Sequence, residues 1–169
     1  MDNATQRIVL LTAVLTAAST AQAASTTFSA ELSLGASART IYGSPTGGGE
    51  FDLALGGQRG RFAGYFTIGN FFGATRFGLL TTHHQFGALL EGVLGRVRVG
   101  GGFQTGPLTV RRATNSDLLV DGSAGLYGQL SVDLMRSPQS IFLVARIGVD
   151  TLWFHTALFD GFLGLGARF

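Results

Sequence analysis

Val120–Leu134 reads VDGSAGLYGQLSVDL, and it keeps a strict period of two. Val120, Gly122, Ala124, Leu126, Gly128, Leu130, Val132 and Leu134 are apolar or small. Between them stand Asp121, Ser123, Gly125, Tyr127, Gln129, Ser131 and Asp133. An amphipathic helix would repeat near 3.6 residues instead. Successive side chains of a strand point to opposite faces. The stretch therefore predicts a strand with one greasy and one polar face.

The same alternation extends outward in both directions. Upstream, apolar residues alternate with polar or small ones along Phe28–Arg39, Glu50–Leu55, Arg61–Ile68, Gln85–Glu91 (where Leu89 breaks the pattern) and Arg96–Gln104. Downstream, Ile141–Trp153 and Ala157–Phe169 do the same. That makes eight strands. Gly56–Gly60, Gly92–Gly95 and Met135–Ser140 read as short turns, and His155 marks a tight last one. Thr40–Gly49 and Gln104–Asp117 read as longer loops, with Phe71–Arg76 intermediate. Short turns at one end and longer loops at the other predict an antiparallel up-and-down barrel.

Composition narrows the class. The chain has 169 residues and no cysteine, which excludes disulfides and thiolate sites. All 12 basic residues are arginine, which excludes a phosphate-loop lysine and a Schiff base. These arginines are scattered singly, not gathered on a stripe, so no nucleic-acid partner is expected. Residues 1–23 read as a secretory signal peptide: Arg7, an apolar run from Ile8 to Ala18, then Ala21-Gln22-Ala23 as the cleavage site. Residues 24–169 form the barrel.

Alternation alone does not say which face is outside. An exported lipocalin-like barrel would hold the greasy face around a ligand; a membrane barrel turns it to lipid. Four features favour the membrane. Several segments reach or exceed the roughly 9–11 residues that cross a bilayer on a tilt. The polar face carries too few charges for a soluble exterior. Greasy-face aromatics fall at predicted strand ends: Phe28, Phe62 and Phe169 at the short-turn end, and Phe51, Phe103, Trp153 and Phe159 at the other. The exported chain also ends on an aromatic residue that closes an alternating strand.

A signal peptide, eight alternating strands and a terminal Phe169 resemble the small bacterial outer-membrane β-barrels of the OmpA/OmpX type. The resemblance implies an all-β, eight-stranded transmembrane barrel in the outer membrane. It also implies an assembly signal of Gly164 and Phe169 read by the outer-membrane assembly machinery. Ala167 and Phe162 depart from the usual pattern of that signal. The N-terminus and short turns then face the periplasm.

Charges on the polar face need partners inside so narrow a barrel. The expected network is Glu31, Asp52, Arg61, Glu91, Arg96, Arg98, Asp133, Arg146, Asp150, Asp160 and Arg168. Turn spacing predicts Glu91 beside Arg96, Asp52 diagonal to Arg61, Gln129 near Arg146 and Arg168 beside Glu31. It also sets Asp150 opposite Asp160 near the rim, with His155 close by.

No catalytic residue, cofactor or metal site is expected. His155 is followed by Thr156 and Ala157, so it lacks the serine that small lipid A deacylases carry two positions on. Ser123 lies mid-strand, outside any nucleophile elbow. His83 and His84 are adjacent and point to opposite faces, so they cannot chelate one metal. Gly100–Gly102 precedes no helix and cradles no phosphate. The Arg111-Arg112 pair reads as a solvated loop charge, or as a contact to lipopolysaccharide phosphates.

Overall fold

The computed structural model describes residues 26–112, 118–136, 140–152 and 156–169. The segment expected to be a signal peptide, Trp153 and His155 lie outside the described residues. Eight strands close into one antiparallel barrel in chain order. They are β1 (Thr26–Ile41), β2 (Ser44–Arg59), β3 (Phe62–Thr75), β4 (Leu79–Leu94), β5 (Val97–Arg112), β6 (Leu118–Arg136), β7 (Ser140–Leu152) and β8 (Thr156–Arg168). Every β1–β8 neighbour is joined to the next strand, and β8 returns to β1. Phe169 completes the seam: its N–H donates to Ala30 O at 2.9 Å, and its carbonyl accepts from Ala30 N at 3.1 Å.

Register fixes the tilt. Cross-strand partners starting at Ser29 run through Gly56, Tyr65, Leu89, Gly102, Tyr127, Gly148 and Asp160. The path re-enters β1 at Arg39, ten residues beyond its start. This stagger lets eight strands close around an interior that side chains fill.

The greasy face is the outer face on every strand. Leu34, Phe66, Leu90, Leu126, Ile147 and Leu163 are exposed on the wall. Glu31, Glu50, His83, Gln104, Arg146 and Asp150 are buried inside. The lipocalin-like arrangement is thereby inverted. Leu89, the residue that breaks the alternation of its segment, is an interior residue. It packs with Ala54, Ala63, Tyr65 and Tyr127.

The connections differ from the expected long loops. Tyr42-Gly43 alone joins β1 to β2, and Arg76–Gly78 joins β3 to β4. β5 runs on to Arg112. The residues read as loop, such as Thr46, Gly48 and Gly106, are small or weakly polar. They pair as strand without leaving a hydropathy signal. Tyr42 and Gly43 both have positive φ, at 48° and 75°, as a type I′ hairpin turn requires. Gly60-Arg61 and Gly95-Arg96 join β2 to β3 and β4 to β5. Only their glycines have positive φ, as in a type II′ turn. The rim bearing these Gly-Arg turns, Thr26 and Phe169 is the terminal rim. The rim bearing Tyr42 is the far rim.

Candidate functional site

The interior is built in layers. Nearest the terminal rim, Arg168 bonds Glu31 through Nε and donates from Nη1 to Asp133 at 2.7 Å. Arg98 lies 3.7 Å from Glu31 and 3.8 Å from Glu91, and donates to Tyr65 Oη at 3.0 Å. Gln129 donates to Glu91 at 3.2 Å. The Arg168 guanidinium also stacks over Phe142, 4.8 Å from its centroid. Glu31 and Arg168 are direct cross-strand partners in the β1–β8 seam.

Above this layer sits an apolar and aromatic belt of Tyr65, Leu89, Tyr127, Phe142, Val144 and Phe162. Its rings lie over glycines of neighbouring strands. A Cβ on Gly102 would meet Tyr127 Oη at 2.6 Å, and one on Gly166 would meet Phe142 Cζ at 2.2 Å. Glycine at these two positions makes room for large rings in a narrow barrel. A cavity of about 20 Å³ lies here between Glu31, Asp52, Gln129 and Arg146. That is room for roughly one water molecule.

The second charged layer centres on Glu50. Arg39 donates to Glu50 at 2.7 Å and to Gln85 at 2.9 Å, and stacks over Phe71 at 4.3 Å. Arg146 bonds the other oxygen of Glu50 and donates to Asp52 at 3.0 Å. Gln104 holds Asp150 at 3.0 Å and Asp160 at 3.1 Å with one amide nitrogen. Beyond the layer, Ile41, Phe71, Leu108, Leu152 and Leu158 form an apolar cap. At the mouth, Tyr42 Oη donates to Asp121 at 2.6 Å, tying the β1–β2 turn to β6. Burial first, then this bond, raises the Tyr42 phenol to about 12.

One arrangement looks catalytic and is chemically inert. His83 and Ser123 sit 2.6 Å apart, both buried. The other ring nitrogen, Nδ1, faces Arg39. Arginine only donates, so Nδ1 must accept and Nε2 carries the hydrogen. Ser123 is then the acceptor from His83 and donates to Gly106 O at 3.2 Å. A nucleophile needs its base unprotonated on that side. His84 points outward, against Asn70 and Phe72.

Several expected positions are corrected. Arg61 and Arg96 are exposed turn residues, not interior ones. The turns are two residues long, so Glu91 opposes Gly100 and takes Arg98 instead of Arg96. Asp52 takes Arg146 instead of Arg61. Asp150 opposes Leu158 while Asp160 opposes Gly148. The two aspartates meet through Gln104, not face to face. Phe28, Phe62 and Phe169 do gather at the terminal rim, 75%, 76% and 59% exposed. Phe159 lies towards the far rim. Phe103 faces outward but stands mid-wall, because β5 continues nine residues past it.

The reading of the sequence omitted Glu50, Arg39, His83, Gln85 and Gln104 from the network. Their parity was visible. The partners were not, because Thr40–Gly49 read as a loop separates Arg39 from Glu50. The Tyr42-Gly43 pair is the signal that would have joined them, since a residue-Gly dipeptide favours a tight hairpin. Gly164 has a structural reason of its own: a Cβ there would meet Phe162 at 2.5 Å and Leu34 O at 2.6 Å.

The closed wall, staggered register and inverted polarity define the fold of the small outer-membrane β-barrels. Among solved structures, Neisserial surface protein A matches with a TM-score of 0.61 at 10% identity, over 85% of this chain and 97% of that one. Ail, the attachment invasion locus protein of Yersinia pestis, matches at 0.61 with 12% identity, over 84% and 99%. Ail in complex with the heparin analogue sucrose octasulfate matches at 0.58 with 13% identity, over 84% and 99%. At such identities the likeness is one of fold. No family model matches the chain, and no curated protein matches it in sequence.

Proposed function

We propose that the chain is an integral outer-membrane protein with a structural or surface-interaction role and no catalytic activity. One observation carries this reading: the outward face is apolar around the whole described wall while charges are buried and paired inside. An exterior so greasy is satisfied by lipid, not water. Among the described residues the layered interior fills the lumen, which supports a plug and not a pore. In this reading residues 1–23 export the chain, and Gly164 with Phe169 engages the assembly machinery. The terminal rim faces the periplasm and the far rim faces outside.

Ail's sulfated ligand supports a polyanionic partner for the outer surface. On this chain Arg76 and exposed Arg111 stand at the far rim, with Arg112 next in sequence. They suit the phosphates of lipopolysaccharide. Membrane fractionation tests the core of the reading. The mature protein should stay with outer membranes through high salt and leave only with detergent. Release by osmotic shock alone would overturn it. Planar-bilayer recordings should show no steady conductance.

A further inference from the structure

The terminal rim carries a feature that neither the interior nor the outer surface explains. Two turns repeat the pattern Gly-Arg-apolar: Gly60-Arg61-Phe62 and Gly95-Arg96-Val97. A type II′ turn demands glycine at its first central position and sets no need for arginine at the second. Both backbones are pinned. Arg61 O accepts from Val93 N at 2.8 Å, and Arg96 O accepts from Asp133 N at 2.8 Å. Each turn is thus sewn to the strand beside it.

Both side chains are exposed and make no ion pair among the described residues. The carboxylates of the rim-side layer, Glu31, Glu91 and Asp133, are buried in the barrel, where Arg98 and Arg168 engage them. Phe62 projects outward beside the first turn and Leu94 beside the second, and Phe28 and Phe169 stand outward on the same rim at β1 and the end of β8, marking an interfacial depth. The two turns stand about 10 Å apart along the rim, two interstrand spacings. Exposed arginines on anchored turns, just beyond outward apolar side chains, match the position of lipid phosphates.

We propose that Arg61 and Arg96 form a phosphate-binding collar for the headgroups of anionic phospholipids in the leaflet bordering the terminal rim. The collar rests on the membrane reading above. Planar guanidinium groups suit phosphate oxygens by paired hydrogen bonds. The adjacent outward Phe62 and Val97 seat against acyl chains. Such a collar would hold the barrel at a fixed depth and select its lipid neighbours.

The full mature chain is folded into phosphatidylcholine vesicles with and without phosphatidylglycerol or cardiolipin. Lipids retained after mild detergent extraction are counted by native mass spectrometry. Wild type should insert into pure phosphatidylcholine, and should retain anionic lipid preferentially from the mixtures. Each basic group near a charged surface is worth about 1 kcal/mol, or about fivefold in preference. R61S and R96S should each lose about that factor, and the double variant nearly all of it. Tighter retention of cardiolipin than of phosphatidylglycerol would mean one lipid spans both arginines; equal retention per phosphate would mean each takes its own. An unchanged preference in the folded double variant overturns the collar while leaving the membrane reading intact. So does a collar that binds soluble cell-wall fragments but no lipid. Failure to insert into any vesicle overturns both.

Discussion

The two charged layers use the same chemistry in different surroundings. The layer around Glu50 lies between an apolar cap and an aromatic belt, and the Arg39–Glu50 side chains are both 0% exposed. The layer around Arg168 sits at strand ends beside the terminal rim, and the Arg168–Glu31 side chains keep 8% and 5% of their surface. Stoichiometry differs too. Among the described residues Arg39 and Arg146 bond Glu50 and Asp52 and bond neither Asp150 nor Asp160, whereas Arg98 and Arg168 serve Glu31, Glu91 and Asp133. Gln104 spreads one amide over two aspartates where the cations run short. A buried ion pair costs heavily in desolvation, and losing one partner costs more than the pair gave. The inner layer therefore has little tolerance, while water near the rim can relax the outer one.

Breaking each layer at its hub tests this. Glu50→Ala leaves Arg39 in a dry site with no carboxylate, only Gln85, and leaves Arg146 with Asp52 alone, and should destabilise the folded barrel by about 3–5 kcal/mol. Glu31→Ala removes the equivalent hub at the rim, where Arg168 keeps Asp133 and Arg98 keeps Glu91. About 2 kcal/mol is expected there. Urea unfolding from micelles, followed by the heat-modified gel shift, measures both. Equal losses would erase the distinction between the layers. Glu91→Ala belongs with the milder case, since the arginine it leaves is Arg98, close to the rim.

The same contrast extends to the wall. Gly125 supports the dry layer: a Cβ there would meet Val149 O at 2.2 Å and Asp150 Oδ1 at 2.0 Å. Gly125→Ala should cost about 1–3 kcal/mol through forced displacement of strand and carboxylate. Gly161 faces outward with nothing within 4 Å of a Cβ. Gly161→Ala should stay within about 0.5 kcal/mol of wild type. Parallel denaturation curves separate the two, and a large effect at Gly161 would show that the outer wall is packed against something other than lipid.

Face parity was legible in all eight expected strand segments because alternation needs only local contrast, as in Phe62, Phe66 and Ile68 against Ala63, Tyr65 and Thr67. Register was legible where strand ends were well marked: Glu31–Arg168 at the closing seam follows from the chain ending on an alternating strand, and Gln129–Arg146 follows from the turn at Met135–Ser140. It failed where turn glycines were counted as loop. Reading Gly92–Gly95 as the turn moved Arg96 into the barrel, although the turn holds only Gly95 and Arg96. Pairing across the lumen, such as Arg146 with Glu50, joins residues far apart in sequence. Tilt and shear decide which of them stand at one height, and no local pattern encodes that. The aromatic belt was hidden for another reason. Tyr65, Tyr127 and Phe142 lie on the polar face by parity, where composition suggested charges alone.

A mild effect is expected from what keeps the inner layer dry. Tyr42 holds a left-handed backbone, φ 48°, that costs a non-glycine residue about 1 kcal/mol. Its phenol donates to Asp121 across the mouth. Glycine would suit the turn better, so the side chain is retained for its reach. Tyr42→Phe keeps the ring and the strain but loses the bond, and should cost about 1 kcal/mol. The phenol is raised from 10 to about 12, by burial and then by Asp121. A raised value means the folded state prefers the protonated form. The strap's contribution is therefore complete below pH 10 and fades as pH climbs through 12. Absorbance near the phenolate band should show a late-titrating tyrosine that Tyr42→Phe removes. Loss of the strap should also lower the stability of the Glu50 layer more than that of the Arg168 layer. Glu50→Ala made in a Tyr42→Phe background would then cost less than it does alone, because water reaches the stranded arginines. A strictly additive double variant would show that the cap of Ile41, Leu108, Leu152 and Leu158 excludes water without help from the strap.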